Sequence, residues 1–395
     1  MSNGFSRAGL DRLGALLRGQ VESGHAPGAL VVLAHHGEVR VESCGVLALE
    51  GPGAVTPMGA DTICRLGSMS KPIVAACMMT LVDDGTLGLD DPVEAWLPEL
   101  ADMQVLAHPH AALDDTVPAQ RPITVRDVLA FTLGTGMVLA PPGEAPIADA
   151  LEGVYGVPPD EWIARLGALP LVHQPGERWL YHTGSDVAGV LIARATGRSF
   201  GRALRERICQ PLEMRDTGFI VPEEHLHRFA TAYALDEASG QLVVDDFSHG
   251  TFRGVKVFES GDGGLVSTAD DFLAFATAMR NGGLHEGVQV LSPGAAAAMT
   301  TDQLSAAQKQ VSGFWPGYFD EMGWGFGVSV RTVDAPGGPS VGTYGWPGYF
   351  GTAWYNDPAA DLTTIVMWQN WQGGDQRLPM WQDLWAAVYG ALDRS

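Results

Sequence analysis

The stretch GSMSKPIVAACMM, residues 67–79, sets Ser68 three residues ahead of Lys71. On a helix that starts near Ser68 the two side chains share a face, one turn apart. Chemically that is a nucleophile beside a base. The N-terminus of a helix favours negative charge on the serine oxygen, and its N–H groups can hold an oxyanion. Lysine with its ordinary pKa of about 10.4 is a poor base at neutral pH. Burial in the apolar run that follows is expected to depress it and free the amine. Pro72 falls in or just after the first turn, where a missing N–H does least harm. The chain has only three lysines, Lys71, Lys256 and Lys309, so one inside an apolar segment calls for a specific reason. Read alone, the tetrapeptide also fits an N-cap serine and a snorkelling lysine on a core helix.

Two further stretches bear on that choice. PGERWLYHTGSDVAGVLIARATGRSF places Tyr181 in a turn before a helix. GTYGWPGYFGTAWYND reads as a strand whose Gly345, Gly348 and Gly351 let a substrate lie against the backbone. Together with RLGSMSK, these resemble the serine β-lactamase and penicillin-binding-protein superfamily, most closely its esterase branch, the family VIII carboxylesterases. ITVRDVLAFTLG, PLEMRDTGF and SGDGGLVSTADDF extend the resemblance over nearly the whole chain. The resemblance implies Ser68 as nucleophile, Lys71 as general base and Tyr181 as the proton-relaying partner, with Lys71 and Tyr181 titrating as a pair. It implies an oxyanion hole made by the backbone N–H groups of Ser68 and Tyr349.

Trp346, Pro347 and Gly348 stand where β-lactamases carry Lys-Thr-Gly and the esterase branch typically Trp-Gly-Gly. The missing cation would have held the carboxylate of a β-lactam or peptide. Thr183 replaces an asparagine whose amide would have bound an acylamino side chain. Trp346, Gly348 and Thr183 are therefore expected to accept a neutral ester, and Pro347 puts the local strand pairing in question. The expected reaction is ester hydrolysis through an acyl-enzyme, on a small-molecule substrate, with no metal and no organic cofactor. Acyl transfer and amide or β-lactam hydrolysis are the alternatives within the superfamily. A non-catalytic binding protein of the same fold is the alternative outside it, and the intact Ser68, Lys71 and Tyr181 argue against that.

Other residues compete for attention. GPSVG, residues 338–342, satisfies the G-x-S-x-G pattern, but Ser340 lies in a hairpin loop before a strand, not on a strand-to-helix elbow. His108 and His110 lack the carboxylate or cysteine companions of a metal site. His182 is a candidate neighbour of the site. Asp186 is expected to support the helix start after Tyr181. Trp315, Tyr318 and Phe319 are candidates for an apolar acyl pocket, although most such aromatics are core.

Positioning these residues requires a sheet and a helical region. MSNGFSRAGLDRLGALLRGQV is amphipathic, with Leu10, Leu13, Leu17 and Val21 at helical spacing. A hairpin turning at His36–Gly37 follows. Helical patterns dominate the middle, one with Thr124 as N-cap and one closed by Gly197. Loop-rich stretches at 103–121 and 134–158 are candidates for the rim of a cleft. Strands return from about residue 255, and a last helix sets Trp381, Leu384, Trp385, Val388 and Leu392 on one face. The expectation is a β-lactamase-like α/β (α+β) fold, an antiparallel sheet flanked by helices. Residues 1–66 and 255–395 form the sheet domain and 67–254 the mainly helical domain, with the active site in the cleft between them. The formal charge of −22 speaks against nucleic-acid and anionic-membrane partners. The N-terminus has no apolar signal-peptide core, and the four cysteines, without CxxC spacing, read as buried free thiols; both suit the cytoplasm.

Overall fold

The computed structural model describes residues 4–393, apart from 142, 237, 247–250 and 372–376. Its main sheet has seven strands: β1 (Gly28–His35), β2 (Glu38–Gly45), β3 (Met322–Trp324), β4 (Ser329–Arg331), β5 (Tyr344–Pro347), β6 (Ala353–Asp357) and β7 (Leu362–Met367). They lie in the order β3-β4-β5-β6-β7-β1-β2, and every pair is antiparallel. The two ends of the chain meet where β1 pairs with β7, from Leu30 opposite Met367 to His35 opposite Leu362.

The sequence GALVVLAH of β1 is buried at every position, because both faces of the sheet are covered. Ala29, Val31 and Leu33 pack under helices α1 (Arg7–Glu22) and the C-terminal Arg377–Tyr389 helix, through Leu13, Leu17, Leu384 and Val388. Leu30 and Val32 point the other way, into the larger core, as the two-residue period of a strand requires. That core is built around α2 (Ser70–Asp83), which is buried from Ser70 to Leu81. Such all-round burial marks a central helix. Helix α3 (Thr183–Thr196) packs on α2, and α4 (Ala269–Arg280) packs on β6 and β7.

The antiparallel sheet built from both ends of the chain is therefore as expected, and so are the caps. Thr124 closes a full capping box with Asp127, and Gly197 ends α3 in the left-handed region at φ 63°. Pro347 keeps its place opposite Ala353, while β4 stops opposite Gly345, so no ladder bond is asked of the proline nitrogen on that side.

Three details differ. The loop-rich stretches hold a small Gln104–Leu106/Thr116–Pro118 hairpin and a helix, Pro146–Glu152. Strands Ala232–Asp236 and Gln241–Asp246 pair within the middle region. Leu392 lies beyond the last helix and bridges to Phe5 instead. The four cysteines are free, three of them buried and Cys44 half-buried. Among the described residues no helix is long and apolar enough to cross a membrane.

Candidate active site

The chain reaches Ser68 from the short strand Cys64–Arg65, which pairs with Val266–Ser267. Leu66 N donates to Leu265 O at 2.9 Å, fixing the approach. The turn Gly67–Met69 then leads directly into α2. Gly67 has φ 54°, and a Cβ on it would stand 2.7 Å from Tyr349 N. A Cβ on Gly348 would stand 2.0 Å from Leu66 O, and Thr352 Oγ1 donates to that same carbonyl at 2.7 Å. The turn between β5 and β6 thus rests on the backbone just ahead of Ser68, with no Cβ at residue 67 or 348 to hold the two apart. It sets the backbone of Tyr349 beside the partly exposed Ser68.

Lys71 is fully buried, one turn into the helical segment. Its Nζ donates to Ser68 Oγ at 2.9 Å and to Asp262 O at 2.8 Å, and forms an ion pair with Asp262 Oδ1. Tyr181 also hydrogen-bonds this amine, so more acceptors surround Nζ than its three N–H groups can serve at once. Nζ also lies 4.4 Å from the centre of the Tyr181 ring, and Tyr181 Oη accepts from Trp346 Nε1 at 2.6 Å. Burial pulls the Lys71 pKa down, but the charge of Asp262, assisted by Tyr181, outweighs it and leaves the pKa above its ordinary value. The expected depression of Lys71 is thereby corrected: a buried carboxylate, not only apolar surface, surrounds it.

Asp262 is gripped on both oxygens, for Oδ2 lies 2.7 Å from His182 Nδ1. Burial pushes its pKa up, yet the charges of Lys71 and His182 hold it below the usual carboxylate range. Its N–H donates to Asp186 Oδ1 at 3.1 Å, and Ser260 Oγ donates to the same oxygen at 2.8 Å. Asp186 therefore ties the 260–262 loop to the first turn of α3. Burial and the neighbouring charge of Asp262 push Asp186 up to about 6. His182 precedes α3 with φ 89° and ψ −80°, a strained conformation for a residue with a Cβ.

The structure thus brings Ser68, Lys71, Tyr181, Trp346 and the Gly348–Tyr349 backbone together. Thr183 is buried at the start of α3, where its side chain bonds the Tyr155 hydroxyl. Tyr318 and Phe319 reach the site through Trp179, whose ring centre lies 5.6 Å from that of Tyr181, whereas Trp315 is 62 % exposed. Ser340 occupies a turn before β5 with no helix after it, and its N–H donates to Asp357. His110 lies within hydrogen-bond distance of the Glu144 carbonyl, at 3.1 Å. Among the described residues one group has metal-ligand proximity, His35, His36 and Asp361, and there Arg280 already pairs with the carboxylate.

Asp262 is the residue that the sequence reading missed. Its trace was present in SGDGG: a Cβ on Gly261 would stand 2.2 Å from Ser185 O, so this loop must press against α3.

The chain has relatives among known proteins. Residues 13–388 match the family model described as Beta-lactamase. The Mycobacterium tuberculosis protein Rv1367c is 39 % identical over 80 % of each chain. Esterase EstB of Burkholderia gladioli is 32 % identical over 90 % of this chain and 89 % of its own. Among solved structures, "EstCE1, a hydrolase with promiscuous acyltransferase activity" superposes with a TM-score of 0.79 at 26 % identity, covering 97 % of this chain and 99 % of that one.

Proposed function

The chain belongs to the beta-lactamase family, and from that premise we propose that it is a serine carboxylesterase working through an acyl-enzyme. The observation that carries the reading is Lys71 Nζ at 2.9 Å from Ser68 Oγ, with Tyr181 against the same amine. Ser68 Oγ attacks the ester carbonyl, and the N–H groups of Ser68 and Tyr349 receive the oxyanion. Such donors each contribute roughly 3–4 kcal/mol to the transition state. Lys71 and Tyr181 move the proton from Ser68 to the leaving alcohol, and later from water to Ser68. Trp346 supports a neutral substrate: its N–H is turned onto Tyr181, and no cation stands on that strand to draw a carboxylate. The esterase description of EstB points the same way.

Transfer of the acyl group to an alcohol other than water is the second reading, supported by the description of EstCE1. Both readings share the acyl-enzyme, and the acceptor alone differs.

The test is turnover of short and medium p-nitrophenyl esters, beside a chromogenic cephalosporin, by wild type and Ser68→Ala. Ester turnover should fall about a thousandfold or more in the variant, with little cephalosporin turnover in either. Full ester turnover by Ser68→Ala would sink the assignment. Dominant cephalosporin turnover by wild type would overturn the preference for esters.

A further inference from the structure

Lys71 poses a problem for its own role, because the ammonium of its ion pair with Asp262 has no lone pair to accept the Ser68 proton. One of its protons must first go elsewhere. Of its hydrogen-bonding neighbours, the Asp262 carbonyl and the Tyr181 phenol cannot hold a further proton at neutral pH, and Ser68 is the group to be deprotonated. The Asp262 carboxylate remains.

We propose that Asp262 is a positioning residue acting through Lys71: it takes the lysine proton on Oδ1, so that Lys71 accepts the Ser68 proton without releasing charge to solvent. The inference rests on the serine-hydrolase reading above. In the step, a Lys71 N–H bond breaks and an Asp262 O–H bond forms. The Ser68 O–H bond then breaks as its proton joins Nζ, while Oγ bonds the carbonyl carbon and the carbonyl π pair moves to oxygen. When the intermediate collapses, Nζ protonates the leaving alcohol and Asp262 returns its proton to Nζ. The proton count of the site is unchanged throughout.

The surroundings suit this exchange. Burial disfavours the separated charges of the ion pair, which brings the neutral amine and carboxylic acid within reach. His182 on Oδ2 and the Asp186 contact to the Asp262 N–H hold the carboxyl group in place. The strained backbone of His182 is retained where it makes that grip. The titratable groups facing Lys71 are Asp262 and Tyr181, and those facing Asp262 are Lys71, His182, Asp186 and Tyr155.

The pH profile of ester kcat/KM separates this from a merely structural role. In wild type the lysine and aspartate share one proton, and the acid limb belongs to protonation of Asp262. In Asp262→Asn the acid limb becomes the titration of a buried lysine, and should move up by about two pH units or more. His182→Gln keeps the carboxylate, so its limb should stay on the acid side. An unmoved limb in Asp262→Asn, with only a lower plateau, would overturn the proposal. So would an equal upward move in His182→Gln, because histidine would then be the titrating group.

A second readout needs neither turnover nor a variant. The three lysines give three signals in protein labelled with 13C at the lysine ε carbon. The Lys71 signal of wild type should stay that of an ammonium from pH 6 to 9, and a free amine near neutrality would defeat the idea. Should Ser68→Ala keep full turnover, the hydrolase reading fails by itself, whatever this titration shows.

Discussion

Asp186 is the acid that the fold treats least kindly. Nearly complete burial and the charge of Asp262 raise it to about 6, against about 3.9 for an aspartate in an unfolded chain. Between those values the unfolded chain gives up a proton that the folded protein keeps. Its contribution to stability is therefore present below about pH 4, falls as the pH rises, and is lost above about pH 6. Asp186→Asn should remove that slope. Denaturant unfolding at several pH values should show the variant gaining on wild type by about 1–3 kcal/mol between pH 4 and 6.5. The same pH dependence in both proteins would contradict the burial argument. Ser68 and Lys71 were legible as a pair one turn apart, but only the resemblance carried by the stretches around Tyr181 and Gly348 singled out that pair and Tyr181 from an ordinary helix start. Asp262 was not legible, because one aspartate among glycines has no period. Its meaning arises only when the 260–267 loop lies beside the strand leading to Ser68.

The contact that shapes the proposed oxyanion pocket is one between elements. The β5–β6 turn lies on Leu66 and Gly67 because residue 348 has no side chain. Gly348→Ala would set a methyl group 2.0 Å from Leu66 O and 2.2 Å from Thr352 Oγ1. The turn must then lift and carry Tyr349 N away from Ser68. Ester kcat should fall about a hundredfold or more, the scale of losing one oxyanion donor. Unchanged kcat in a folded variant would show that Tyr349 N has no part in the reaction. At this scale the sequence was readable where elements have signatures. Thr124 announced a helix start and Gly197 a helix end. The pair Ala232–Asp236 and Gln241–Asp246 escaped because its second strand is mostly exposed, without clear alternation of apolar and polar residues.

Over the whole molecule, the β-rich runs at both ends and helices between them already implied a sheet assembled from the two ends. Which strands would join was not readable, since strand pairing leaves its mark on burial and not on order. The β1–β7 pair is that junction, and it predicts what a shortened chain does. A version ending at residue 357 keeps β1 and β2 but removes β7, exposing one edge of a mostly apolar strand that is buried in the full chain. It should accumulate in the insoluble fraction on expression to a greater extent than the full chain; a soluble, folded fragment would show that β1 is held chiefly by α1 and β2. The same junction sets a delay on the ribosome. After His35 has been added, about 330 residues must follow before all of β7 exists, which takes roughly 15–70 seconds at about 5–20 residues per second. Throughout that interval GALVVLAH is a hydrophobic segment with one side unpaired, so the nascent chain offers a chaperone binding site that the finished protein does not.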